Sequence, residues 1–382
     1  MQPSDFTQNK PGNLRRQAEG YWTFTPNPLP PPLKWDSPLA QVLSEAERAI
    51  GLLEGVGKNL PNPDLLIRPF VRKEAVLSSR IEGTLTSFSD LLFFEARPTD
   101  EPRVPDVQEV QNYVKAMEYG LKRIESLPLS LRLIRELHAV LMQGVRGEHL
   151  TPGEFRRSQN WIGPPGRSLN EATYTPPSPG EFLAAMGDLE TYLHAECEYP
   201  PIVRIALIHY QFEAIHPFLD GNGRLGRLLT TLLLSHWNLL TQPLLYLSAY
   251  FEKTRDEYYV RLLEVSRNGK WTPWVRYFLQ GVALQAQDGL TRANRLLRLR
   301  NEYLERVRTP RASGLLSRLV EALFERPAIT ANQAKEILGV KYSSAQNSIN
   351  RLDDLGILVE ITNQRRNRVY FATEIIEIVE GS

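Results

Sequence analysis

A chain of 382 residues with 45 Lys+Arg against 44 Asp+Glu carries a net charge of +1. That balance excludes a chain-wide electrostatic grip on nucleic acid or anionic lipid and leaves room only for local patches. The single cysteine, Cys197, excludes an intramolecular disulfide framework and any multi-cysteine zinc site, so a reducing cytoplasm is the expected compartment.

The length suggests two or three domains, each able to bury its own core. The first twenty residues mix charged and polar side chains without an apolar run, so no signal peptide is expected. Residues 1–36 read as a Pro-rich extended arm: Pro26, Pro28, Pro30, Pro31 and Pro32 favour polyproline II and oppose helix. Trp22, Phe24 and Trp35 predict that this arm packs on the body. Residues 37–125 form an N-terminal helical region, with Leu39, Val42, Leu43, Ala46, Ala49, Ile50 and Leu53 recurring at three- and four-residue intervals. A further helix is expected to open at Pro69 and run through Ser79, and Pro102 and Pro105 interrupt before a helix resumes over 107–124.

Residues 126–282 form the core. A helix over 131–142 is stopped by Gly144, Gly147 and Thr151-Pro152-Gly153. Residues 155–179, rich in Pro and Gly, predict a surface loop or short hairpin. Helical periodicity covers 181–196, 201–215, 224–240 and 254–268, and a long helix from 274 to about 308 supplies a linker over 283–309. Residues 228–251 carry no charge and reach the ~20 residues that cross a bilayer. Ser235, His236, Asn238, Gln242 and Pro243 instead divide the stretch into a helix, a turn and a second buried segment, so no membrane partner is expected. Residues 310–382 show three short helix patterns and a two-stranded hairpin, the pattern of a winged helix-turn-helix. The predicted fold class is therefore mainly α: a helical core with a short β-hairpin flap, followed by a small α+β module.

The chemistry concentrates in His216-Pro217-Phe218-Leu219-Asp220-Gly221-Asn222-Gly223-Arg224-Leu225-Gly226-Arg227. Pro217 stops the preceding helix and sets His216 at its end. Gly221-Asn222-Gly223 can adopt positive-φ conformations whose successive N–H groups form an anion nest. A helix starting near Arg224 adds its positive end to that nest, with Arg224 and Arg227 on one face of its first turn. Asp220 is suited to a hard cation such as Mg²⁺. A base, a metal carboxylate, an anion nest and two arginines describe a polyphosphate site at which a proton is removed.

This run resembles the signature of the Fic family, His-x-Phe-x-[Asp/Glu]-Gly-Asn-Gly-Arg-x-x-Arg, and every specified position is met. The resemblance spans about residues 71–282 and implies a helical Fic core that transfers AMP from ATP to a Ser, Thr or Tyr hydroxyl of a protein, itself included. It implies His216 as general base, Asp220 as the Mg²⁺ ligand, residues 218–224 around the phosphates and Arg227 on the γ-phosphate. Residues 157–162 and 174–177 resemble the family's flap, which aligns a target by strand addition. Residues 245–248 with Tyr258 and Tyr259 resemble the nucleoside side of the pocket, core packing being the other reading of both tyrosines. Ser78, Glu82 and Gly83 resemble the family's inhibitory motif [Ser/Thr]-x-x-x-Glu-[Gly/Asn]. By that likeness Glu82 would pair with Arg227, draw it away from the γ-phosphate and brake transfer. A homodimer is expected because family members often pair.

In the C-terminal module nine basic and nine acidic residues balance over 311–382, so protein–protein or dimer contact is favoured over DNA. The locally positive segment 363–368 and the amides of Gln346, Asn347 and Asn350 keep DNA as the alternative. Two other functions stand beside AMP transfer: a nucleotide-sensing transcriptional regulator acting through the winged helix, and a Fic enzyme that removes AMP or moves another phosphate-containing group.

Overall fold

The computed structural model describes residues 1–7, 11–58, 63–97, 106–145, 147, 149–164, 166, 168–308 and 314–381. Pro102, Pro105 and the expected boundary at Thr309-Pro310 lie outside them. The chain divides into two compact units: Met1–Gly51, Asn112–Leu239 and Leu247–Gln285 form the first, and Leu52–Gln111, Leu240–Tyr246 and Ala286–Ser382 the second. The elements in order are β1 (Gly12–Arg16), β2 (Trp22–Pro26), α1 (Ser37–Lys58), α2 (Asp64–Ile81), α3 (Phe88–Ala96), α4 (Val107–Arg123), α5 (Leu131–Leu141), α6 (Phe182–His194), α7 (Pro201–Ile215), α8 (Asn222–His236), α9 (Ser248–Lys253), α10 (Arg255–Asn268), α11 (Trp271–Val307), α12 (Gly314–Glu325), β3 (Ala328–Thr330), α13 (Ala331–Leu338), α14 (Tyr342–Asp354), β4 (Val359–Glu360), β5 (Val369–Phe371) and α15 (Thr373–Glu380). The chain is mainly helical, as the sequence predicts, and among the described residues no helix is long and apolar enough to cross a membrane.

In the first unit α7 and α8 pack against each other, with α5, α6 and α10 around them. Both are buried nearly all round, from Ile202 to Ile215 and from Arg224 to Leu234, as expected of helices at the centre of a core. Trp274 closes one side: its ring is fully buried and its Nε1–H donates to the Ala206 carbonyl at 2.8 Å. The loop joining α7 to α8 is therefore held at both ends by immobile helices.

The expected extended arm is instead an antiparallel hairpin, with Gly12 opposite Pro26 and Arg16 opposite Trp22. Gly20, at φ +93°, turns the chain between the strands. Of the clustered prolines that suggest polyproline II, Pro26 ends β2, and Pro28, Pro30, Pro31 and Pro32 follow it where the chain forms neither helix nor strand. Phe24 is fully buried, stacked on Phe6 and edge-on to Tyr174, and its N–H donates to the Thr175 carbonyl at 3.0 Å. Trp35, expected to pack, is 46% exposed. The region 155–179 carries one bridge, Ile162 opposite Tyr174, in place of a regular hairpin. Much of it is not surface at all, since Ala172 and residues 174–178 are buried.

In the second unit α2 packs against α12, α3 and α15. The buried Arg72 guanidinium donates to both Glu95 carboxylate oxygens at 2.8 and 3.0 Å and to the Glu325 carbonyl at 2.9 Å, tying α2 to α3 and to the end of α12. Pro69, expected to open a helix, lies inside α2. Asp64 and the apolar residues after it already form the first turn, and proline removes only one backbone donor. The C-terminal segment holds the three expected helices as α12, α13 and α14. Its sheet has three strands in the order β3–β5–β4, all antiparallel. The short β3 was not legible because its three residues adjoin the Thr330 cap of α13, where a strand pattern has no room to alternate.

Candidate active site

His216 is the residue that ends α7, and it adopts a left-handed conformation (φ 51°, ψ 61°). A non-glycine residue there is uncommon and held by its surroundings. Its carbonyl accepts from Arg156 Nε at 3.0 Å and from Asn160 Nδ2 at 3.1 Å. One residue on, the Pro217 carbonyl accepts from the Arg156 N–H at 3.0 Å. Asn160 Nδ2 also donates to the Phe218 carbonyl at 2.7 Å, which Asn222 Nδ2 reaches at 2.8 Å, while Phe218 N–H donates to Asn222 Oδ1 at 2.9 Å. Three polar side chains thus satisfy a buried turn that has no secondary structure of its own. The His216 ring is half-buried, and its Nδ1 lies 3.2 Å from the Glu213 carbonyl. A carbonyl only accepts, so Nδ1 carries a proton, and in the singly protonated ring Nε2 is the basic nitrogen.

Of the expected nest, only Gly221 is left-handed (φ +77°). α8 begins at Asn222, two residues before the expected start, so Asn222 and Gly223 belong to its first turn. The Asn222 side chain, by bridging back to Phe218, closes the loop locally and lets the helix start early. A Cβ at Gly221 would fall 2.8 Å from the Met142 sulfur, so both φ and space require glycine. The first-turn N–H groups of α8 give this end a partial positive charge. Arg224 and Arg227 are both buried, at 2% and 3% exposure, and Arg224 lies 3.7 Å from Asp220 Oδ1. Leu219 and Asp220 are half-buried at the mouth of the turn.

Asp220 Oδ1 also accepts the Gly221 N–H at 2.6 Å. Among the described residues no three His, Cys, Asp or Glu side chains are grouped to hold a metal. One carboxylate is nonetheless what a Mg²⁺ shared with a polyphosphate requires, because phosphate oxygens and water complete its octahedron. The donor set fits the ion in that form and not as a resident, all-protein site.

His138, on α5, had no signal in the sequence beyond a helical position. Its ring lies 3.8 Å from Phe218, 7° from parallel, Nδ1 accepts the Gly153 N–H at 2.9 Å, and Nε2–H donates to the Asp220 carbonyl at 3.0 Å. Burial pushes its imidazole down to about 4, so it stays neutral. Arg156 carried no signal in the sequence either, and Asn160 entered only within the flap-like segment 157–162, since a residue that supports a turn through backbone carbonyls leaves no spacing to read. His209 is a second buried imidazole, pushed down to about 3 by burial and by the Arg227 charge. Its Nε2 pairs with the Tyr258 hydroxyl at 2.8 Å in the aromatic core. Tyr258 is therefore a core residue, and Tyr259 is 39% exposed.

Ser78, Glu82 and Gly83 belong to the second unit. Ser78 is fully buried on α2, Glu82 is exposed at the residue that ends the helix, and Gly83 follows at φ +98°.

A left-handed histidine, a left-handed glycine and two buried arginines on one helix come together at the α7–α8 turn. Residues 40–122 match the Fic/DOC family N-terminal domain and residues 128–234 the Fic/DOC family domain, so the chain carries Fic/DOC family domains. Over 202 residues, 52% of this chain, it is 30% identical to the protein adenylyltransferase Fic of Drosophila willistoni and to that of Drosophila grimshawi. The aligned part spans 37% and 38% of those relatives, well under their full length. The fold resembles a Fic family protein from Desulfovibrio desulfuricans G20, with a TM-score of 0.59 at 20% identity over 90% of this chain and 98% of that one. It also resembles Fic-1 of C. elegans, at 0.51 and 22% over 68% and 74%.

Proposed function

We propose that this chain is a protein adenylyltransferase that moves AMP from ATP to a hydroxyl of a protein and releases pyrophosphate. The observation that carries the reading is the α7–α8 turn, where a basic Nε2 on His216 adjoins the positive end of α8 and the buried Arg224 and Arg227. His216 Nε2 takes the proton of the attacking Ser, Thr or Tyr hydroxyl, its Nδ1–H held by the Glu213 carbonyl. The hydroxyl oxygen bonds to the α-phosphorus as the bond to pyrophosphate breaks. The α8 N-terminus and Arg224 hold the phosphates, and Arg227 faces the terminal one. When bound, Mg²⁺ would sit on Asp220 and neutralise charge on the phosphate oxygens.

We propose further that Glu82 brakes this activity. The support is the match of Ser78, Glu82 and Gly83 to the inhibitory pattern, together with the exposure of Glu82 at the end of α2. The test is transfer of label from α-labelled ATP to the chain itself, with Mg²⁺, in the parent, Glu82→Gly and Glu82→Gly/His216→Ala. Glu82→Gly should raise labelling at least tenfold and the double variant abolish it. Labelling that survives loss of His216 would refute the base, and equal labelling of parent and Glu82→Gly the brake.

A further inference from the structure

We propose that the cleft between α14, the β4–β5 turn and the end of α3 binds the phosphate backbone of duplex DNA. The cleft lies wholly within the second unit, has a volume of about 720 Å³, and is rimmed by four arginines, Arg97, Arg365, Arg366 and Arg368, against one acid, Glu336. That concentration is hidden in the balanced charge of residues 311–382, because the acids are spent elsewhere. Glu321 pairs with Arg300, Glu325 with Arg68 and Glu374 with Arg306, all three arginines lying before the module. Glu360 accepts from the Thr362 N–H and hydroxyl and acts on Arg368, offsetting part of that one charge. Arg365, Arg366 and Arg368 thus share one cleft, with Glu360 and Asp353 acting on Arg368 alone, while Glu321, Glu325 and Glu374 are neutralised by arginines outside the module.

The cleft is built, not merely charged. Asn363 and Asn367, both left-handed at φ 49° and 53°, turn the chain so that the intervening arginines project. Arg97 donates to Gln364 Oε1 at 3.2 Å, which brings a cation from α3 to the same turn. Arg365 and Arg366 are exposed and have no ion pair among the described residues. On the facing side Gln346 donates to Asn350 Oδ1 at 2.8 Å, one helical turn away, and the exposed Asn350 lines the cleft. Guanidinium groups suit phosphate, and Asn and Gln amides suit base edges. α14, a 13-residue helix, has the diameter of about 10–12 Å that a major groove roughly 12 Å wide admits. An acidic protein would also meet arginines, but a protein interface needs an apolar centre. This cleft offers only Ala96, Ala331 and the exposed Tyr342.

The test is fluorescence anisotropy of a labelled mixed-sequence duplex with the full chain over a salt series. Binding should strengthen steeply as salt falls. Arg365→Ala/Arg366→Ala should flatten the slope of log K against log[salt] by about 1.8, at ~0.9 for each phosphate that is no longer neutralised. Arg16→Ala, an exposed arginine of the first unit, should leave it unchanged. No binding at low salt overturns the proposal, as does equal weakening by Arg16→Ala. A single strand held as tightly as the duplex, or a response to polyglutamate with none to DNA, also overturns it.

Discussion

Replacing His138 by phenylalanine keeps a ring on Phe218 but removes both hydrogen bonds that the imidazole makes. The Gly153 N–H and the Asp220 carbonyl then lose their partners in a position that is 2% exposed. Each stranded group costs about 1–3 kcal/mol, so the variant should lose about 2–6 kcal/mol at neutral pH. The parent, however, carries a pH-dependent term that the variant lacks. The folded imidazole titrates at about 4 and the unfolded one at 6.5. The unfolded chain therefore binds a proton that the native chain refuses throughout that window. The stability held above pH 6.5 is lost as pH falls towards the folded value, at about 1.4 kcal/mol per unit. By about pH 5 the parent has given up about 2 kcal/mol through His138, and the gap to the variant should shrink by that amount. His209 contributes a similar acid loss to both proteins and cancels in the difference. All six tryptophans, Trp22, Trp35, Trp161, Trp237, Trp271 and Trp274, lie in the first unit with His138. Urea denaturation followed by tryptophan fluorescence at about pH 7.5 and about pH 5 therefore reads the relevant unit. A gap of the same size at both pH values would refute the assignment of a neutral, doubly bonded His138.

Asn160→Asp should damage transfer and stability more than Asn160→Ala. The His216 and Phe218 carbonyls each keep a second donor when the amide is simply removed, whereas a carboxylate would face both. Equal melting points and equal labelling for the two variants would show that the Asn160 NH₂ does not hold the turn. Gly289→Ala should lower the melting temperature read by circular dichroism, costing about 1–2 kcal/mol net of its gain in helix propensity. Its Cβ would fall 2.9 Å from the Leu244 carbonyl oxygen, which cannot move aside. Gly51→Ala, with nothing within 4 Å, should instead gain about 0.5–1 kcal/mol. A reversed order of these two would mean that the backbone approach at Gly289 is not a constraint.

What the sequence by itself determined was mostly local. Pro201 at the first turn and Pro217 just beyond the end bound α7 to within a residue, and the period of three and four shows the other long helices. The twelve-residue run 216–227 shows its chemistry because base, carboxylate, glycines and arginines are neighbours in the chain. The boundaries that slipped did so for physical reasons. The Asn222 side chain closes the turn on Phe218 and starts α8 early, and Asp64 with the apolar residues after it carries α2 ahead of Pro69. Only the tertiary structure brought His138, Arg156 and Asn160 onto the carbonyls of that turn, from positions 56 to 82 residues upstream. A hydrogen bond to a backbone carbonyl asks nothing of the acceptor's side chain, so no pattern in the signature announces its supports. The same holds for charge: counting residues over 311–382 gives zero, whereas the fold spends Glu321, Glu325 and Glu374 on distant arginines and leaves Arg365 and Arg366 exposed. Composition sums charge over the chain, but electrostatics acts across the distances that folding sets.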